Sequence, residues 1–139
     1  MAILFPFEVY TPSRLFFSEM IEAIVLALLD GEAAVYAKHA PFTAPVVPCV
    51  LRIKDKEGAW KTAFASEGIL EVTDAKTVLV VDAAEWPEEI DRERAGKAME
   101  KAEEILRSGG MKFETDKAAS SLRRAQMRMK AAGVKSTGV

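Results

Sequence analysis

The decapeptide Trp86-Pro87-Glu88-Glu89-Ile90-Asp91-Arg92-Glu93-Arg94-Ala95 is where the chain changes character. Before it, residues 1–86 hold ten of the eleven aromatic side chains and five of the six prolines, with 7 basic against 12 acidic groups. After it, residues 87–139 keep a single aromatic, Phe113, no proline beyond Pro87, and 12 basic against 9 acidic groups. Aromatic and β-branched residues punctuated by proline favour strands, whereas Ala, Glu, Lys and Arg favour helices. The division predicts a β + α chain: an N-terminal antiparallel β-sandwich over 1–86 and a C-terminal antiparallel two-helix hairpin over 87–139.

Toward the N-terminus, apolar runs are broken at short intervals by turn residues: Thr11-Pro12-Ser13, Asp30-Gly31, Pro45 to Pro48, Lys56-Glu57-Gly58 and Thr73-Asp74. Strands are expected at Phe5–Tyr10, Ile21–Leu29, Ala33–Tyr36, Val50–Ile53, Trp60–Ala65, Ile69–Val72 and Thr77–Val81. Their spacing leaves no room for crossover helices, which disfavours parallel pairing. Gly58 can supply the positive φ of a tight hairpin return. Ile21–Leu29 is apolar at nearly every position, so it is either buried on both faces or covered by another protein.

Toward the C-terminus, Pro87 followed by Glu88, Glu89 and Asp91 reads as a helix start, because proline fits the first turn and acids complement the dipole. Ala95, Ala98, Met99, Ala102, Ile105 and Leu106 recur on one helical face, and Ser108-Gly109-Gly110 stops the run. Ala118, Leu122, Ala125 and Met129 form a second stripe. Alanine-rich stripes pack closely yet bury little apolar area, so the hairpin is expected to open readily. The tail from Lys135 onward is expected to fray.

The 139 residues are half apolar, enough for a packed core in one or two small domains. The longest uninterrupted apolar run, Ala23 to Leu29, falls far short of the ~20 residues of a membrane span, and the N-terminus has no basic leader. One cysteine, Cys49, excludes an internal disulfide framework and fits a reducing compartment. One histidine, His39, makes a histidine-rich metal centre implausible.

Catalytic motifs are missing: there is no phosphate-binding loop, GxGxxG, HExxH, GxSxG or CxxC pattern. His39 reads as a loop residue and Cys49 as a small core or strand-edge residue. The acids Asp82, Glu85, Glu88 and Glu89 lack calcium-loop spacing and read as a solvated junction, so no metal is expected. From Met111 to Lys135 there are seven Lys or Arg against two acids. Lys117, Arg124 and Arg128 fall along one helical edge, suited to nucleotide phosphates or an acidic protein surface, unless they are simply solvated. Nucleic acid is the weakest of the targets and none is expected, since the net charge is negative and no aromatics interleave the arginines.

Three segments in order carry a family resemblance. Asp30-Gly31-Glu32, leading through Tyr36 to His39-Ala40-Pro41, is similar to a Gly-Glu…His-x-Pro loop. Ser66-Glu67-Gly68-Ile69-Leu70-Glu71-Val72 is similar to a Ser-Gly-Gly-(Phe/Ile)-Leu-Glu-Val strand, and Ile90-Asp91-Arg92-Glu93-Arg94-Ala95 to an (Ile/Leu)-Asp-x-x-Arg-Ala helix opening. Together they resemble the ε subunit of bacterial F-type ATP synthases, related to the mitochondrial δ subunit, over nearly the whole length. Ala34 and Lys38 stand where glycines are common, Ala37 where proline is common, and Glu67 replaces the first glycine of a pair.

The resemblance implies a noncatalytic rotor subunit. Its β domain would bind the γ subunit and the c-ring, with Glu32 and His39 in the loop facing the c-ring. Its hairpin would switch between a compact form and an extended form that inserts between γ and the α/β catalytic head and inhibits ATP hydrolysis. The basic helix carrying Lys117, Arg123, Arg124 and Arg128 would contact that head. No cofactor is required. In some bacterial members regulatory ATP stabilises the compact form, and the matching positions here are Glu85, Ile90, Asp91, Arg94, Ala95, Arg124 and Arg128. Asp91 would accept from the adenine amino group, although an Asp-x-x-Arg pair at a helix start also serves as a cap and ion pair. Lys101 and Lys117 stand where arginine forks phosphate better. The implied location is peripheral, on the cytoplasmic face of the bacterial inner membrane, touching membrane only through the complex. The alternative is a free-standing nucleotide-sensing interaction domain.

Overall fold

The computed structural model describes residues 2–133, so the tail beginning at Lys135 lies outside the described residues. Nine strands come first: β1 (Phe5–Tyr10), β2 (Leu15–Leu28), β3 (Gly31–Tyr36), β4 (Phe42–Val46), β5 (Cys49–Asp55), β6 (Trp60–Ala65), β7 (Gly68–Val72), β8 (Thr77–Val81) and β9 (Ala84–Glu85). Two helices follow, α1 (Arg92–Ser108) and α2 (Lys112–Ala131). A first compact unit ends at Glu85 and a second begins at Trp86.

The first unit is a β-sandwich organised by β2, which is long enough to serve both layers. Its first half pairs with β1, from Phe5↔Ile21 to Tyr10↔Leu15. Its second half pairs with β3, from Ala23↔Tyr36 to Leu28↔Gly31, and with β5, from Ile21↔Asp55 to Val25↔Arg52. The register shifts between Ile21 and Ala23, and such a bulge bends a strand where it passes from one layer to the other. The strand order is β1-β8-β7-β4-β2-β5-β6-β9, with β3 on β2. One pair departs from the expected antiparallel pattern: β1 and β8 run parallel, Phe7↔Thr77 to Tyr10↔Val80. No crossover helix is needed there, because the rest of the sandwich forms the connection.

Alternation places Phe7, Val9, Leu70 and Leu79 inside one layer, and Leu51, Ile53 and Phe64 inside the other, all fully buried. The apolar Ile21–Leu29 segment resolves to the first of its two readings. Ile21, Ala23, Ile24 and Leu26 are at most 1% exposed, while Leu29, beyond the strand, is 74% exposed. The strand therefore needs no second protein to cover it. Sequence reading misses β4, because Pro41, Pro45 and Pro48 look like loop punctuation. Pro45 is tolerated because β4 pairs along its length with β7 and meets β2 only at Leu28↔Val46. At the β5–β6 turn, Gly58 takes φ +85° and Asp55 Oδ1 accepts from Glu57 N and Ala59 N, both at 2.9 Å.

In the second unit Pro87 opens a single 3-10 turn, Pro87–Glu89, and not the α-helix expected there. Glu89 Oε1 accepts from Trp86 N at 2.9 Å and closes that turn. The α-helix starts at Arg92, capped by Asp91, whose Oδ1 accepts from Arg94 N at 3.0 Å. Gly109, at φ +66°, ends α1 in the left-handed region open to glycine. The two helices pack antiparallel along Ala95, Ala102, Ala118, Ala125 and Ala131, all buried, with Ile105, Leu106, Leu122 and Met129 half-buried beside them. Ala98 is exposed, off the stripe assigned to it.

Candidate functional site

The β-sandwich presents a row of apolar side chains to solvent. In register, Leu15, Tyr10, Val80, Ile69 and Pro45 are cross-strand neighbours on β2, β1, β8, β7 and β4. Directly paired residues share a sheet face, and at about 4.8 Å per strand the row is about 19 Å wide. Leu15 is 52% exposed, Val80 51% and Ile69 54%. Tyr10 and Pro45 are also exposed. One step along the same face the row is mixed: Glu8, Glu71 and Thr43 occupy the next positions on β1, β7 and β4, on either side of the half-buried Val78 on β8. There Glu8 accepts from Lys76 Nζ and from the Tyr10 hydroxyl, each at 3.0 Å. These bonds hold the Glu8 carboxyl below the usual carboxylate range and push the Tyr10 phenol up.

Glu32 and His39, assigned above to one loop, are placed by the structure at opposite ends of β3. Glu32 follows the β2–β3 turn, and His39 lies past the last residue of the strand, Tyr36. A six-residue strand spans about 20 Å, so the two do not share a loop. Glu32 accepts from Arg52 at 3.4 Å. His39 stacks at a tilt on Phe42, ring centroids 4.9 Å apart, and its Nδ1 lies 2.7 Å from Ala40 O. Lys38, before it, takes φ +65°, the conformation for which glycine is suited. Beside this turn lies a half-open cavity of about 420 Å³, lined in part by Leu4, Lys38, His39, Asp74 and Thr77.

The second unit collects most of the nucleotide candidates. Ile90, Asp91, Arg94 and Ala95 lie at the start of α1, and Arg124 and Arg128 in the second half of α2, which is the same end of an antiparallel pair. Ile90 and Ala95 are buried, Asp91 and Arg94 exposed, and Arg124 and Arg128 half-buried. Asp91 uses one oxygen as the helix cap, leaving the other able to accept from a ligand. Arg124 Nη2 reaches the Ser121 hydroxyl at 3.4 Å. Lys101, Lys117 and Arg123 are exposed. Glu85 is on β9, in the first unit.

Two features escaped sequence reading. The apolar row depends on the register of five strands, and alternation along Thr77–Val81 shows only that Val80 faces away from Leu79. The other is Arg92, whose Nη2 donates to Ala132 O at 2.6 Å, forty residues away. Among the described residues no group of His, Cys, Asp or Glu is placed to hold a metal ion, and no helix is long and apolar enough to cross a membrane.

An outward apolar row on a sandwich unit, followed in the chain by a helical pair joined by a thin seam, defines a class: a two-unit protein built to present surfaces to other macromolecules. Comparison with known proteins gives the particular family. The model of the "ATP synthase, Delta/Epsilon chain, beta-sandwich domain" matches residues 4–87, and that of the "long alpha-helix domain" matches residues 88–133. The chain is 43% identical over 128 residues to the ATP synthase epsilon chain of Caldicellulosiruptor bescii, covering 92% of this chain and 93% of that one. It is 43% identical over 129 residues to that of Caldanaerobacter subterraneus, covering 92% and 93%. Its fold is similar to a chain in the Euglena gracilis mitochondrial ATP synthase, OSCP/F1/c-ring, with TM-score 0.80, 22% identity and coverage of 93% of this chain and 81% of that one. It is also similar to a chain in the central stalk/c-ring of the Tetrahymena thermophila mitochondrial enzyme, with TM-score 0.63, 13% identity and coverage of 91% and 95%. The chain belongs to the ATP synthase delta/epsilon family, with the epsilon chains, and is a noncatalytic subunit.

Proposed function

We propose that this chain couples the central stalk to the membrane ring of an F-type ATP synthase, seating the γ subunit on its apolar row. The observation that carries the reading is the row Leu15–Tyr10–Val80–Ile69–Pro45. A continuous outward apolar stripe bordered by a charged edge is the pattern of a protein interface, with a hydrophobic centre and a polar rim. Glu32 and His39, at opposite ends of β3, belong to separate contacts, which suits a subunit held between two rotor components. The position is peripheral, on the cytoplasmic face of the bacterial inner membrane and reached through the complex.

The helical pair is the regulatory part. ATP would hold it compact, with Asp91 accepting from the adenine amino group and Arg94, Arg124 and Arg128 taking phosphates. Released, the pair would carry Lys117, Arg123, Arg124 and Arg128 to the α/β head and inhibit hydrolysis. Contact with an acidic head surface and contact with phosphate need the same side chains, so the two compete.

Co-expression with tagged γ subunit tests the first part: stoichiometric co-purification is expected, and its absence would leave a free-standing nucleotide-sensing domain as the better reading. Calorimetric titration with ATP tests the second. One-site binding abolished by Asp91→Ala is expected, and no heat up to millimolar ATP would remove the nucleotide.

A further inference from the structure

The antiparallel pair is joined by the Gly109-Gly110 turn at one end and is open at the other, where α1 begins and α2 ends. The seam between them is alanine, and each buried methyl contributes only about 0.8 kcal/mol. The buried alanines recur at seven-residue steps, Ala95 and Ala102 on α1 and Ala118 and Ala125 on α2, so sliding by one turn would bring the larger half-buried Leu122 and Met129 onto them. The seam therefore has a preferred register but holds it weakly, and a contact at the open end would reinforce it.

Arg92 is placed to do so. It is the first residue of α1, and its guanidinium donates to Ala132 O at 2.6 Å. Ala132 is the C-cap of α2, where its own N–H already returns to Arg128 O and Lys130 O, and Gly133 turns away at φ +84°. The carbonyl that Arg92 holds therefore belongs to the terminal set without intrahelical donors, at the negative end of the α2 dipole. A cation there gains from both the hydrogen bond and the dipole. Counting along both helices from this contact at 1.5 Å per residue, Arg128 comes level with about Gly96, and Arg124 about 6 Å further along. Those levels place Arg128 just beyond Arg94 and Ala95, and Arg124 about one turn further along α1.

We propose that Arg92 is a positioning residue: by gripping the last carbonyl of α2 it closes the open end of the pair and secures the register that places Arg128 just beyond Arg94, with Arg124 about one turn further along α1. The nucleotide part of this inference rests on the reading given above, whereas closure and register stand without it. Neighbouring arginines thus divide the work, Arg94 facing the ligand and Arg92 holding the second helix.

The test uses the full chain without nucleotide and compares Arg92→Ala, Arg92→Lys and Lys97→Ala by amide hydrogen exchange over residues 122–131. Lys97 is an exposed control whose pairing, with Glu93 at 3.2 Å, stays within α1. Losing a charge-assisted bond at a partly exposed site should speed exchange of these amides about tenfold in Arg92→Ala. Arg92→Lys should recover part of the protection, Lys97→Ala all of it, and the β-sandwich amides should not change. Equal exchange in Arg92→Ala and Lys97→Ala would overturn the inference, as would faster exchange spread evenly over both units. A parallel ATP titration separates the two readings. If ATP binds the parent chain, Arg92→Ala should weaken it severalfold at unchanged stoichiometry, and unchanged affinity would refute the register claim. If ATP does not bind the parent chain, the nucleotide reading fails and the exchange result alone decides the role of Arg92.

Discussion

Replacing Ile69 and Val80 together by threonine is the sharpest perturbation of the proposed γ surface. The two are directly paired across β7 and β8, at the middle of the apolar row. Threonine keeps the β-branch that a strand favours, so the sheet should persist. Burying a whole isoleucine or valine side chain is worth about 1.5–3 kcal/mol. Ile69 is 54% exposed and Val80 51%, so roughly half of that value is still to be gained on docking. About 1 kcal/mol per residue, or about 2 kcal/mol for the pair, corresponds to about a thirtyfold rise in Kd. The assay is binding to immobilised γ subunit, with thermal unfolding as the fold control and Glu71→Gln, one row along the same face, as the surface control. A Kd within twofold of the parent, with the fold intact, would refute the row as the docking surface. Loss of binding accompanied by a collapsed Tm would refute the claim that these side chains point outward.

Lys38→Gly should stabilise the first unit by about 0.5 kcal/mol in urea unfolding, since relief of a left-handed residue worth roughly 1–2 kcal/mol outweighs the extra chain entropy of glycine. Gly68→Ala should destabilise it by at least 1–3 kcal/mol, because a Cβ there would overlap Val80 O and lie 2.8 Å from both Val80 C and Val81 Cα, all backbone atoms that cannot step aside. Asp55→Asn should flatten the acid limb of the stability curve. The Asp55 carboxyl is held below its usual range, chiefly by the Ala59 N–H and then by that of Glu57. Its stabilisation is therefore present above the unfolded-state value and lost as pH falls through the lower folded one, as urea midpoints between pH 6 and pH 2 would register. Arg124→Ala with Arg128→Ala should change inhibition of ATP hydrolysis in the assembled enzyme while leaving γ binding intact, and loss of γ binding would contradict the assignment of those arginines to the helical pair.

Much of this molecule was decided by local chemistry. The change in composition at Trp86-Pro87, the alternation in Phe5–Tyr10 and Thr77–Val81, the turn at Gly58 and the stop at Gly109 each follow from properties of a few adjacent residues, and each is legible without a fold. Asp91 is a partial case: its spacing to Arg94 announces a cap, and the structure shows that cap, but the run Pro87-Glu88-Glu89 displaced the expected helix start onto Pro87, because proline suits the first turn of a 3-10 helix as well. Where nonlocal pairing decides, sequence reading fails. Pro45 looked like a breaker until β7 supplied its only long partner. Glu32 and His39 looked like one loop until β3 was drawn between them. The apolar row exists only because five strands meet in one register, and the bond from Arg92 to Ala132 exists only because two helices fold back on each other. A strand's own sequence fixes which side chains share a face, but which strand lies beside it is settled by the burial of the whole core, and that was the part only the tertiary structure could decide.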